Sequence, residues 1–98
     1  MKNFKDYHLE KLSKPSEAKR HLRVALEEYQ QDGDTTAFLI ALKDLAQAQG
    51  GFSYLAEKTN LNRQNLYKAL SEKGNPRLDT IEAILRCFGF RLSIESLT

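Results

Sequence analysis

TNLNRQNLYKALSEKGNPRL, residues Thr59 to Leu78, decides how this chain is read. Three apolar residues, Leu66, Ala69 and Leu70, keep helical spacing, while polar, hydrogen-bonding side chains crowd around them. A segment that had only to fold would not need so many hydrogen-bonding side chains. Asn62 suits a helix N-cap, because its side-chain oxygen can accept from the first free backbone N–H groups. The spacing predicts a helix from there to about Ser71, ended by Gly74 and kept from resuming by Pro76. Just upstream, Phe52 to about Lys58 reads as another short helix with Leu55 and Ala56 inward. Asn60 falls where the chain must turn sharply, and Asn tolerates left-handed backbone better than most non-glycine residues.

Two short helices joined by a tight turn, the second basic outside, make a helix-turn-helix unit. Ala56 is small and lets the helices approach, Asn60 turns, Leu61 plugs, and Leu66 and Leu70 anchor. With the anchors inward, Arg63, Gln64, Asn65, Tyr67, Lys68 and Ser71 are left for the outer faces, with Asn62 at the helix start. A recognition helix presents its N-terminal residues to base edges in the major groove. Arg and Lys match guanine O6/N7, and Gln and Asn match adenine N6/N7. Ser53, Lys73, Asn75 and Arg77 flank that helix and suit phosphate oxygens, which position without reading sequence. The bland alternative is a set of solvated polar residues.

Charge distribution favours the first reading. Residues 1–50 carry eight Lys/Arg against eight Asp/Glu, and residues 51–98 carry seven against five, giving the overall +2. Within 58–77 there are five cations (Lys58, Arg63, Lys68, Lys73, Arg77) and one anion (Glu72), net +4. A local basic patch is the footprint expected for a phosphate backbone.

Outward from this stretch the pattern stays helical. SEAKRHLRVALEEYQQ, opened by Pro15, places Ala18, Leu22, Ala25, Leu26 and Tyr29 at helical spacing, and QDGD ends it. Asp34 is expected to cap TTAFLIALKDLAQAQ, whose buried stripe is Phe38, Ala41, Leu42, Leu45 and Ala46; Gly50 and Gly51 stop it. Asp79 is expected to cap a last helix with Ile81, Ile84, Leu85 and Phe88 inward, terminated by Gly89. FRLSIE alternates Phe90, Leu92 and Ile94 with Arg91, Ser93 and Glu95, a period of two that reads as a strand. Lacking a clean partner in its own chain, it is expected to pair across a two-fold axis with a second copy, so residues 90–95 are the expected dimer contact. The first dozen residues, with Phe4, Tyr7, Leu9 and Leu12, read as an irregular arm or a short helical turn.

The 98 residues suit one domain: an arm and helix over 1–33, a core over 34–89 and a strand over 90–95. No apolar run approaches the ~20 residues of a membrane helix. No secretory signal is evident, and a lone Cys87 fits a reducing cytoplasm. Enzymatic readings find little: His8 and His21 are the only histidines, no Cys/His cluster has metal spacing, and no Gly-rich phosphate loop exists. No catalytic residue, metal or cofactor is expected.

The chain resembles the addiction-module antidote proteins, HigA-like antitoxins with a phage-repressor-type helix-turn-helix. The resemblance rests on ALKDLAQAQGG, NRQNLYKALSEKGNP and the closing GFRLS, within a match from Phe38 to Ile94, and on KPSEAKRHLRVALEE before them. Asn60 departs from the usual Gly, and Phe52 stands where many phage-type repressors place a phosphate-binding Gln. The resemblance implies an all-α, phage-lambda-repressor-like bundle with an extra N-terminal helix and the C-terminal strand. It implies binding to double-stranded operator DNA, autorepression as a homodimer, and neutralisation of a small basic RelE/HigB-like mRNA-cleaving toxin. Glu27, Glu28 and Asp32 cluster at a helix C-terminus, where the helix dipole disfavours negative charge, and are the candidate toxin contacts. A stand-alone phage-type repressor and a protein-interaction module that no longer binds DNA are the rival readings.

Overall fold

A computed structural model describes residues 4–98, with side chains described from His8 onward. Six helices are found among them: α1 (Phe4–Leu12), α2 (Pro15–Asp32), α3 (Thr36–Ala48), α4 (Gly51–Thr59), α5 (Arg63–Ala69) and α6 (Leu78–Cys87). No helix among the described residues is long and apolar enough to cross a membrane. Helix α3 is the centre. It packs against α1 and α2 on one side and α4 on the other, and α4 carries α5 and α6.

The reason lies in the composition of α3. Phe38, Leu39, Ala41, Leu42, Leu45 and Ala46 are all buried, so a broad apolar face covers nearly half its circumference. A helix so surrounded must sit inside. Leu12 from α1, Ala18, Leu22 and Ala25 from α2, Phe52 and Leu55 from α4, Leu66 and Leu70 at α5, and Ile84 and Leu85 from α6 complete one continuous core. Leu26 and Tyr29, expected in the buried stripe of α2, remain 39% and 40% exposed.

The helix ends show local chemistry. Asp34 accepts the Thr36 backbone N–H at 2.9 Å, one residue before the geometric cap Thr35. That hydrogen bond holds the Asp34 carboxyl below the ordinary carboxylate range. A depressed folded-state pKa contributes stability that is complete above the unfolded value and is lost as pH falls through the folded one. Wild type is therefore expected to lose part of its thermal stability on acidification that Asp34→Ala lacks already at neutral pH; parallel Tm-versus-pH curves for the two proteins would exclude this. Asp79 does not cap α6. The helix begins one residue earlier, at Leu78, so Asp79 sits inside its first turn and pairs with Arg77 at 3.3 Å.

Residues 90–95 form no strand, and none is found among the described residues. A strand needs a hydrogen-bonding partner, and the arm that could have supplied one is helix α1. Instead α6 closes in a Schellman arrangement: Phe90 N–H reaches Leu85 O at 2.8 Å and Gly89 N–H reaches Arg86 O at 3.0 Å. Gly89 at φ +88° supplies the left-handed residue this closure requires. Phe90 is thereby turned onto its own core. Of the arm's named residues, Leu12 is buried and Leu9 half-buried, while the Phe4 and Tyr7 side chains lie outside the described residues.

Candidate nucleic-acid interface

Helices α4 and α5 are joined through Asn60, Leu61 and Asn62. Asn60 adopts φ 59° and ψ 23°, the one non-glycine residue in left-handed backbone among those described. Thr59 ties the corner, its Oγ1 donating to Leu55 O at 2.7 Å and accepting from Leu61 N–H at 3.3 Å. Leu61 packs against the core as a plug. Asn62 caps α5 as expected, its Oδ1 accepting from Gln64 and Asn65 N–H at 2.8 and 3.2 Å.

Only seven residues long, α5 depends on its anchors. Leu66 and Leu70 are each 1% exposed, and Ala69 is half-buried. The remaining positions, Arg63, Gln64, Asn65, Tyr67 and Lys68, are exposed on the surface the spacing assigned to them. They are not equivalent. Tyr67 stacks on buried Phe52 at 4.1 Å between ring centroids, 11° from parallel, and Arg63 lies 5.8 Å from the Tyr67 ring. Phe52 therefore belongs to the core and braces α5 through Tyr67. The Ser71 hydroxyl is spent on Lys68 O at 2.8 Å, and Asn62 is spent on its cap. Gln64, Asn65 and Lys68 are exposed and engage no side-chain partner among the described residues.

Lys73, Asn75 and Arg77 lie in the segment joining α5 to α6, and Ser53 lies in the first turn of α4. All four are exposed. Arg77 is partly neutralised by Asp79; Ser53, Lys73 and Asn75 are not engaged. What the site offers is an outward set of amides and cations, held on a capped helix and bordered by Lys73 and Arg77. Such groups are able to donate hydrogen bonds to base edges and phosphates.

The other expected sites lie apart. Glu27, Glu28 and Asp32 are exposed near the end of α2, with no basic residue in its last turn. Glu28 and Asp32 are one turn apart, a like-charge spacing that destabilises a helix slightly. Asp32 also accepts Asp34 N–H at 2.9 Å. Arg91, Leu92, Ser93, Ile94 and Glu95 are all exposed, and Ile94 reaches 97%. Arg91 and Leu92, with Leu97 beyond them, edge a groove whose opposite wall is Leu22 and Leu26 of α2. Cys87 is half-buried against the core, and burial pushes its thiol up against the opposing pull of Lys58.

One grouping escaped the sequence: His8, His21 and Asp44 meet where α1, α2 and α3 converge. Their separations, 13 and 23 residues by subtraction of the numbers, carry no local motif, so only the fold brings them together.

A family model described as "Probable addiction module antidote protein" matches residues 8–96. The chain is similar to an uncharacterized protein of Haemophilus influenzae, 28% identical over 78 residues, covering 80% of this chain and 79% of the relative. No solved structure matches.

Proposed function

The chain belongs to the family of probable addiction module antidote proteins, and on that premise we propose that it neutralises a small, basic, RelE/HigB-like mRNA-cleaving toxin and binds its own operator through α4, the turn and α5. It acts by binding, not catalysis, and represses the toxin–antidote pair as a homodimer. The observation that carries the DNA half is the division of α5: Leu66 and Leu70 are sealed in the core while Gln64, Asn65 and Lys68 stand outward and unengaged. Tertiary packing alone would not select amides and a cation at those three positions. The acidic end of α2, with Glu27 and Glu28 exposed, is the surface complementary to a basic toxin, since opposite charge raises the encounter rate.

Titration of DNA from upstream of the gene tests the DNA half. Gln64→Ala is expected to cost about 1–3 kcal/mol on the cognate site and to relax discrimination there. Lys73→Ala is expected to weaken all sequences alike and lower the salt slope by about one. If the wild-type chain prefers its upstream DNA to no other sequence, the module has lost DNA binding. Co-expression with the protein of the neighbouring reading frame tests the other half: relief of growth arrest supports an antidote, and absence of any toxic neighbour supports a stand-alone repressor.

Residues 91–97 serve as the contact between copies in this reading. Ile94 and Leu97, 97% and 104% exposed, find no cover in their own chain. Truncation after Phe90 spares the core and is expected to give a folded monomer with weakened operator binding. Sedimentation of that truncation as a dimer would move the contact elsewhere.

A further inference from the structure

We propose that His8, His21 and Asp44 form a binding site for one borderline divalent transition ion, with zinc the reference occupant. The two histidines are the only ones in the chain. They come from α1 and α2, and both point Nε2 at the same carboxylate oxygen of α3: His8 Nε2 lies 3.5 Å and His21 Nε2 3.6 Å from Asp44 Oδ2. These distances are long for hydrogen bonds, which run at roughly 2.7–3.2 Å. They suit two ligands of one ion, because metal bonds of about 2.0–2.1 Å at tetrahedral angles separate ligand atoms by about 3.3 Å. One ligand atom from each residue lies within 4.8 Å of the others, so binding needs only small side-chain rotations. The two imidazoles meet edge to face, with 5.3 Å between ring centroids.

The surroundings select the ion. The adjoining cavity is lined by Lys11, Glu17 and Arg20 as well as the histidines. Lys11 leans toward Glu17 at 3.8 Å, while Arg20 adds an uncompensated positive charge. Calcium and magnesium, which depend on several oxygen ligands, fit this set poorly. Two imidazoles and one carboxylate suit zinc, cobalt or nickel. A fourth position is left for water or for Glu17, which stands one turn before His21 and is the one acid among the described residues lining that cavity.

The site would staple α1 to the body. That helix has nine residues, too few to persist alone. Its other described ties include buried Leu12, the Gln49 side-chain amide donating to Leu12 O at 3.1 Å, and the Lys11–Glu17 pair. An ion shared by three helices adds binding free energy to the folded state only.

The test uses the full-length, tag-free, chelator-treated protein. Cobalt(II) is expected to bind one equivalent with a visible ligand-field band that zinc abolishes. Zinc well above its Kd is expected to raise Tm by roughly 5–15 °C. Asp44→Asn, nearly isosteric, and His21→Ala are expected to weaken cobalt binding at least tenfold, while Cys87→Ser leaves it unchanged. Wild type supplies a readout independent of variant folding: the imidazole NMR signals of both histidines should shift together on adding zinc. The site is overturned if about 100 μM cobalt gives substoichiometric binding, if either imidazole signal stays put, or if folded Asp44→Asn binds like wild type.

Discussion

Leu66→Ala is expected to destabilise the folded chain by about 2–5 kcal/mol, the range for truncating a buried leucine with incomplete collapse around it. Domains of this size have only about 5–15 kcal/mol in total, so Tm should fall by at least about 10 °C. The site explains the size. Leu66 is 1% exposed and lies midway along a seven-residue helix that has no other fully buried side chain within its bounds. Leu70 holds the C-terminal edge, and the Phe52–Tyr67 stack braces the side, but neither fills the space under the centre. Gln64→Ala, two residues away and fully on the surface, should stay within about 0.5 kcal/mol of wild type. The pair separates holding from reading: Leu66→Ala loses stability and DNA affinity together, Gln64→Ala affinity alone. Urea unfolding of both variants is the measurement. A Leu66→Ala protein within about 1 kcal/mol of wild type would mean that α5 is not anchored as described.

The contrast also marks what a sequence can reveal. Helices α2 to α6 were legible because apolar residues at three- and four-residue spacing have few other ways to be buried. The turn was legible because Asn60 and Asn62 each have a specific backbone task, and the structure gives each of them that task. Helix α1 is ambiguous in the sequence because its regularity comes from outside: Leu12 is buried in the shared core, and Gln49 caps its end from 37 residues away. FRLSIE misled for the opposite reason. Its alternation is real, but a strand is a relation between two segments, and a period of two in one segment does not supply the second. Phe90, the first apolar residue of that alternation, is claimed by the closure of α6. The His8–His21–Asp44 grouping was invisible because each member comes from a different helix. The roles of Tyr67, Ser71 and Arg77 were blurred for a related reason: which polar residues are already engaged depends on neighbours such as Phe52, Lys68 and Asp79.

Gly74→Ala is expected to cost about 1–3 kcal/mol, for a reason different from the one its position suggests. As a residue after a helix it reads as a stop, chosen for conformational freedom. Yet the positive-φ residues among those described are Asn60 and four other glycines, not Gly74. What Gly74 provides is room. A Cβ placed there collides with the carbonyl oxygen of Ala69, and lies 2.7 Å from that carbonyl carbon and 2.8 Å from Lys68 O. These are backbone atoms at the end of α5, unable to swing aside as a side chain would. The loop is also tied at that point, Gly74 N–H donating to Ser71 O at 2.9 Å and Ser71 N–H to Lys68 O at 3.3 Å. Any added carbon must therefore push the loop off the helix end and strain both bonds. Lys73, Asn75 and Arg77 ride on that loop, so on the proposed DNA-binding reading Gly74→Ala should weaken binding to all sequences while leaving any preference read by Gln64 intact. Gly33 is the control. It ends α2 at φ +74° with nothing within 4 Å of an added Cβ, so its requirement is freedom alone. Asn, which visits the left-handed region more readily than other side chains, should substitute well for Gly33 and no better than Ala for Gly74. Equal tolerance of Asn at the two positions, read by urea unfolding, would show that the loop yields and that room is not what holds Gly74 in place.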